Sequence, residues 1–199
     1  MRSIVLSSLA ALAAVAAISV SPASAQMTGG ISVTHGGGNV NTARGAFSQA
    51  DQSATTLGGI ASGRGRVFTN GGNNTNSALG RFSFAGQDTT TVGGTAFGHG
   101  RAITNGGNNS NTARGFASSA TQSNLTVGGT AFGHGRAITN GGNNSNLAAG
   151  AFSSADQQVV TLGGNAGRHG LNVVSGGSNR NAALGFGSSA SQQVFTGGQ

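Results

Sequence analysis

The stretch GGTAFGHGRAITNGGNNSN occupies residues 93–111 and recurs without a change at residues 128–146. A catalytic site is ordinarily built once, whereas an exact repeat is typical of a unit that stacks on copies of itself. The Gly-Gly pair that opens the stretch recurs every 35 residues, at Gly58, Gly93, Gly128 and Gly163. The sequence therefore predicts a repeat protein with a 35-residue period.

The period divides the chain into a leader and five units, of which the first lacks its front part. The predicted boundaries are 1–25 for the leader, 26–57 for the truncated first repeat, 58–92, 93–127 and 128–162 for three repeats, and 163–199 for the last repeat with the C-terminal end. The leader has a basic start, an apolar run rich in Ala and Leu, and the sequence Ala23-Ser24-Ala25. This pattern is typical of a secretory signal peptide cut after Ala25, and its apolar run is short for a membrane anchor. We therefore expect a secreted bacterial protein that acts outside the cell or at the cell surface.

Six of the positions that carry the same residue in all five units spell N-x-A-x-G-x-x-S-x-A-x-Q. Fixed positions two apart are typical of a β-strand, whose alternate side chains share one face. The parity shifts by one between the glycine and the serine, which predicts a bulge or a bend at that point. We expect three of these columns to face the core as ladders of like residues. They are Asn41, Asn76, Asn111, Asn146 and Asn181; Ala43, Ala78, Ala113, Ala148 and Ala183; and Gln52, Gln87, Gln122, Gln157 and Gln192.

The predicted fold class is all-β, because Gly, Asn, Ser and Thr are frequent throughout and are all poor in helix interiors. Each unit carries two strand-forming stretches, separated by Gly-Gly and Gly-Gly-Asn-Asn turns. An isolated pair of strands is barely stable in water, so the units must stack, about 4.8 Å apart. We therefore expect a β-solenoid or a stacked β-arch of five 35-residue units, with one or two rungs per unit.

Composition excludes several classes of protein. The chain from residue 26 onward has no Cys, Lys, Glu, Trp or Tyr, and its nine Arg against three Asp give a net charge of 9 − 3 = +6. It can form no disulfide, and it has few large side chains for an ordinary globular core. The three aspartates fall in no repeated column, and a phosphate-binding P-loop requires a lysine. We expect neither an enzyme nor a cofactor.

The N-x-A element after a Gly/Asn turn, followed by a Gln and an aliphatic residue, resembles the repeats of bacterial functional amyloid subunits. The stretch from Gly38 to Ala43 is similar to the curlin repeat, and residues 146–150 with Gln157 and Leu162 are similar to Fap-type repeats. Two features depart from curlin: nine positions separate Ala43 from Gln52, and the period is much longer. The resemblance implies a secreted β-solenoid that assembles into surface fibres.

Basic residues form two further columns, which we call the basic stripe. Unpaired guanidinium groups are costly to bury, so these residues are expected to face solvent. Such a row could bind a polyanion, namely acidic polysaccharide, lipopolysaccharide or extracellular DNA. It could also simply keep a sheet edge soluble and discourage mispairing. The stripe consists of Arg64, Arg66, His99, Arg101, His134, Arg136 and His169.

Other interpretations of the repeated residues have less support. A metal site on the histidine column has no second ligand column, and the arginines would repel a cation. An ice-binding surface requires paired threonine columns, and we identify one, formed by Thr34, Thr69, Thr104 and Thr139. A calcium-binding array requires an Asp after the Gly-Gly pairs, which have none. The N-x-S/T matches that begin at Asn73, Asn108 and Asn143 are interpreted as turn residues, since Asn tolerates left-handed backbone.

The sequence thus predicts a structural subunit of a cell-surface or biofilm-matrix fibre of the amyloid type, whose first partner is another copy of itself. Export and nucleation factors are expected but not identified. The alternative is a monomeric β-solenoid adhesin that holds an acidic polysaccharide or another polyanion along the basic stripe.

Overall fold

The computed structural model describes residues 12–22, 26–28, 31–62, 65–163, 165–167 and 169–198, and for the first two segments it describes the backbone. The described residues contain strands and no helix, and they coil into a β-solenoid with one turn for each 35-residue unit. The predicted fold class is confirmed, and of the two predicted possibilities each unit forms one rung. Every sheet is parallel, and neighbouring strands in it follow one another in the order of the chain, as a continuously wound coil requires.

Four sheets form the walls, and their strands are numbered here in chain order. The longest sheet contains β1 (Leu12–Pro22), β5 (Phe47–Leu57), β9 (Phe82–Val92), β13 (Ala117–Val127), β16 (Phe152–Leu162) and β19 (Ser189–Gly197). A second contains β4 (Gly38–Arg44), β8 (Asn73–Leu79), β12 (Asn108–Arg114), β15 (Asn143–Ala149) and β18 (Ser178–Leu184). A third contains β3 (Ile31–His35), β7 (Arg66–Asn70), β11 (Arg101–Asn105), β14 (Arg136–Asn140) and β17 (Leu171–Ser175). The smallest contains β2 (Gln26–Thr28), β6 (Ile60–Ser62) and β10 (Thr95–Ala96), continued by single bridges at Ala131 and Ala166.

The register explains why the unit repeats so closely. Residues 35 positions apart are partners in every sheet, so that Ile103 lies beside Ile138 and Thr104 beside Thr139. Each residue is therefore neighbour to its own equivalents above and below, at about 4.8 Å. A column that keeps one residue type along the chain keeps one kind of contact along the stack.

The number of strands per unit differs from the prediction, since a rung has three long strands and a short one instead of two. Only the two glycines of the Gly-Gly-Asn-Asn stretch form a turn, and the two asparagines belong to the next strand. Gly106 and Gly107 form the corner, and Asn108 already begins β12. Gly107 makes the corner possible through a left-handed φ of 77°. The bend predicted by the change of parity is confirmed at residues 45–46, where β4 ends and β5 begins.

The core is made of small and polar side chains. Alanines pack together on two sides of it, one group joining the second sheet to the longest sheet and the other lying behind the third sheet around Val67. The threonine column from Thr34 to Thr139 is buried. A second column, missed in the sequence, is formed by Thr56, Thr91, Thr126 and Thr161, and it is buried as well. Both columns therefore lie in the interior, and neither offers a flat threonine surface to solvent.

Part of the predicted signal peptide has a defined position. Leu12–Pro22 form β1, which lies beside β5 in the same 35-residue register as the other strands of the longest sheet. Residues 1–11 and 23–25, with the predicted cleavage position after Ala25, lie outside the described residues. Cleavage itself stays a prediction.

Candidate functional site

The invariant Asn column holds the second sheet against the longest sheet. In the central rung Asn111 Nδ2 donates to the carbonyl oxygens of Ala85 at 2.9 Å and Thr121 at 2.8 Å. The same nitrogen lies 3.0 Å from Asn146 Oδ1 in the next rung. One amide therefore satisfies carbonyls from two successive rungs and also continues the ladder. The inward orientation predicted for this column is confirmed, with Asn111 fully buried.

The glutamine column runs in the opposite direction. Gln87, Gln122, Gln157 and Gln192 each donate Nε2 to the Oε1 of the glutamine in the preceding rung, at 2.7–3.1 Å. The asparagines of the first column donate instead toward the following rung. The chain of amide bonds predicted from the sequence is confirmed along the glutamine column and from Asn76 to Asn181, whereas Asn76 Oδ1 has no hydrogen-bond donor among the described residues. Because hydrogen-bonded amides are directional, the two ends of the stack are chemically different.

A second asparagine ladder was missed. Asn39, Asn74, Asn109 and Asn144 each donate to the asparagine of the following rung at 2.8–3.0 Å. The interpretation of the N-x-S/T matches as turn residues is therefore wrong: Asn73 and its equivalents begin strands, and the asparagines that follow them are buried. The signal was present, since this column is invariant and lies two positions before Asn41, on the same face of the strand.

The last rung is open on its outer side. Strands β17, β18 and β19 each lie at the end of their sheets, so no strand of the described residues lies beside their backbone groups on that side. Of the predicted ladder residues, Gln192 is exposed, whereas Gln157 one rung earlier is buried. Asn181 and Ala183 are only half-buried for the same reason. The core of the last rung is thus presented to solvent.

The first rung, which contains β3, β4 and β5, has the matching surface. Strands β3 and β4 lie at the edges of their sheets, whereas the edge of β5 is covered by β1. Gln52 is buried, accepts from Gln87 through Oε1, and has an Nε2 group without a hydrogen-bond partner among the described residues. While β1 covers Gln52, this buried amide donor without an acceptor costs about 1–3 kcal/mol. Because Gln52 Oε1 accepts from Gln87 in the following rung, its Nε2 group is left to donate away from that rung. Every other glutamine of the ladder also donates in this direction.

The residues of the basic stripe that the structure describes face solvent, as predicted. Three successive strands of the third sheet begin with an exposed arginine, and these arginines are partners in register: Arg66, Arg101 and Arg136. The rings of His99 and His134 stack at a centroid distance of 4.6 Å, and those of His134 and His169 at 4.8 Å. Arg64 lies outside the described residues.

Two phenylalanines accompany the stripe. The rings of Phe97 and Phe132 stack at a centroid distance of 5.3 Å with an interplanar angle of 4°. Both side chains point outward, which the sequence alone left open. The corner between the smallest and third sheets therefore carries parallel rows of phenylalanine, histidine and arginine.

Acidic side chains lie elsewhere. All three aspartates, Asp51, Asp88 and Asp156, line a groove of about 820 Å³ on the outer face of the longest sheet. Among the described residues, no aspartate carboxylate lies within 4.0 Å of an arginine guanidinium. The positive charges of the stripe are therefore not neutralised within the described part of the molecule.

Among the described residues, no helix is long and apolar enough to span a membrane. No three side chains of His, Cys, Asp or Glu in the same residues lie close enough together to hold a metal ion.

Comparison of the chain with protein-family models, with curated proteins and with solved structures found no match to any of them.

Proposed function

We propose that this protein is a secreted structural subunit that polymerises end to end into a cell-surface or matrix fibre. The observation that supports the proposal most strongly is the glutamine ladder. It ends at Gln52 in a donor that has no acceptor among the described residues, with Ala17 of β1 at the partner position, and at Gln192 in an exposed glutamine. Once residues 1–25 are removed as predicted, placing the first rung of one copy on the last rung of another would bring this donor to the Oε1 of Gln192. The ladder then continues with its direction unchanged.

The backbone supports the same arrangement. In the proposed fibre, β3 and β4 of one copy would lie beside β17 and β18 of the copy before it, in the register already used within the chain. The predicted removal of residues 1–25, which include β1, would free β5 to lie beside β19 of that copy. Exposed parallel strand edges of this kind are templates for another chain. Each added copy would extend all the large sheets at once.

Burial supplies the driving force for the proposed assembly. The side chains of the last rung that face the core, such as Gln192 and Asn181, are more exposed than their equivalents in the inner rungs. A second copy would cover them and complete their amide ladders, as in cross-β assemblies. Natural solenoids that stay monomeric protect such ends with polar caps. The last described strand, β19, instead exposes Val194 and Phe195.

The direct test follows fibre growth of the protein purified after export, by time-resolved thioflavin fluorescence with electron microscopy of the end point. We expect a lag that preformed seeds shorten, followed by unbranched fibrils. A β-rich monomer that stays soluble in the presence of seeds would contradict the proposal.

A single substitution tests the end-to-end contact itself. Gly37 has a φ of 72°, and a Cβ built on it meets no described heavy atom within 4 Å. On the inner equivalent Gly72, a Cβ would lie only 1.8 Å from the carbonyl oxygen of the preceding rung. Gly37→Ala should therefore fold yet lose the close contact with the preceding copy, and seeded elongation should slow at least about tenfold, the equivalent of 1.4 kcal/mol.

The control is Asn108→Ala, a substitution in an inner rung. Asn108 lies in β12 with its side chain exposed, and both neighbouring strands, β8 and β15, belong to the same chain. In the proposed fibre this position lies away from both end surfaces. Elongation of Asn108→Ala should stay within about twofold of the unsubstituted protein, about 0.4 kcal/mol. Equal growth of Gly37→Ala and Asn108→Ala would show that copies do not meet at the first rung.

The second candidate function is that of a monomeric adhesin, and it is favoured by one observation, the unneutralised basic stripe. The two candidates differ in their dependence on salt. Stacking through buried amides and backbone hydrogen bonds should persist at high ionic strength, whereas attachment through exposed arginines should weaken.

A further inference from the structure

The arginines of the basic stripe are not required by the fold. The same column holds Ile31 in the first rung and Leu171 in the last, both in strands that pair in the same register. Arginine is restricted to the three rungs between them. Like charges directly opposite each other on neighbouring strands are destabilising, so three in a row carry a cost that aliphatic residues at this position would avoid.

Protection of a sheet edge does not explain the stripe either. Edge strands are commonly kept soluble by charged residues. In the third sheet the edge strands are β3 and β17, and these begin with Ile31 and Leu171. The arginines lie on the inner strands β7, β11 and β14, where no edge is exposed. Their position therefore calls for a role on the outer surface of the solenoid.

The geometry defines the shape of a ligand. Three arginines stand in register on successive strands, at the rung spacing of about 4.8 Å. A row of stacked imidazoles runs beside them. Guanidinium groups bind carboxylates by paired hydrogen bonds. The complementary partner is an extended chain that carries one anionic group after another along a straight line.

The aromatic row narrows the choice between polyanions. Single-stranded nucleic acids bind by stacking their bases on open aromatic faces. The facing sides of Phe97 and Phe132 are occupied by each other's rings, as are those of the stacked histidines. Duplex DNA presents its phosphates on a helical path, which a straight row of three arginines follows only briefly. An extended polysaccharide with carboxylate groups can follow the whole row.

We propose that the basic stripe is a binding site for an extended acidic polysaccharide, whose carboxylates pair with Arg66, Arg101 and Arg136 while its sugar rings lie along the histidines. The site is complete within one chain and does not depend on polymerisation. In the proposed fibre the same site would recur once per copy, and a long polymer would then bind many copies at once.

The test measures binding of polygalacturonate to the exported protein by titration calorimetry, below the concentration at which fibres form, with dextran as the uncharged polymer. The double variant Arg101→Gln/Arg136→Gln should lose at least about tenfold in affinity, the equivalent of 1.4 kcal/mol. Affinity of the unsubstituted protein should fall as salt is raised, because exposed charges are screened.

The matched control removes the same charge elsewhere. Arg44 and Arg114 are also exposed strand residues, but their partners in neighbouring strands include Leu79 and Ala149 and no other arginine. Arg44→Gln/Arg114→Gln should bind polygalacturonate within about threefold of the unsubstituted protein, about 0.7 kcal/mol. Equal losses in the two double variants would overturn the proposal, because net charge alone would then govern binding.

Two further outcomes would also overturn it. Binding of dextran as tight as that of polygalacturonate would exclude recognition of the carboxylates. Tighter binding of duplex DNA, with the same dependence on Arg101 and Arg136, would assign the stripe to nucleic acid. Seeded growth of the stripe variant, measured alongside, should be unchanged, so a failure here is distinguishable from a failure of the fibre proposal.

Discussion

Replacing Gly107 by alanine is expected to destabilise the folded chain by at least about 4 kcal/mol, which is exceptional for a single methyl group. Gly107 has a φ of 77°, where an L-residue costs about 1–2 kcal/mol. The added Cβ would also lie 1.9 Å from the carbonyl oxygen of Gly72 in the preceding rung. That oxygen accepts the backbone hydrogen bond of Asn108 at 3.0 Å, so the rungs cannot move apart without losing it. Urea unfolding followed by circular dichroism measures the loss.

The control for this experiment is Gly37→Ala, read for stability instead of growth. Gly37 occupies the equivalent corner with nearly the same φ, but no described heavy atom lies within 4 Å of its Cβ position. Its loss should be limited to the backbone term, about 1–2 kcal/mol. If the two substitutions were equally costly, the close approach of successive rungs would not be what makes Gly107 necessary.

The second large effect is expected for Asn111→Ala, at about 3 kcal/mol or more. Its side chain donates to the carbonyls of Ala85 and Thr121 and joins the ladder on both sides. Alanine leaves two buried carbonyls without these donors, and each buried group left unpaired costs about 1–3 kcal/mol. The cost should appear as a lower urea midpoint with an unchanged slope.

Asn108→Ala supplies the comparison for Asn111→Ala. Asn108 lies in the same strand with its side chain exposed, so its replacement should change stability by no more than about 0.5 kcal/mol. A similar small effect at Asn111 would mean that water replaces the ladder and that the amide columns do not hold the core together.

Periodicity in the sequence is sufficient to predict much of this fold, because in a stack each residue meets its own equivalent. The inward position of Asn111 and Gln122 and the outward position of Arg101 follow from the 35-residue column alone. The number of strands does not follow, because composition assigns Gly106-Gly107-Asn108-Asn109 to one turn. In the solenoid the two glycines make the corner, and Asn109 enters a ladder that holds the next strand.

The candidate site was predictable to a lesser degree. The basic stripe could be recognised as two columns, but its separation from Asp51, Asp88 and Asp156 depends on how the chain coils. The directions of the amide ladders could not be predicted, since each amide could be oriented either way along the stack. The unpaired donor of Gln52 depends on those directions and on Ala17, which stands at the partner position in β1.

The constant register has a genetic consequence. Because partners lie 35 residues apart in every sheet, a duplication or loss of 105 nucleotides within the repeats would leave each remaining rung with a correct neighbour. The coil would lengthen or shorten by one step of about 4.8 Å. The insertion or deletion of one codon inside a unit, in contrast, would shift the register and turn side chains of the affected strands to the wrong face. Variation among natural copies of such a gene should therefore occur in whole units.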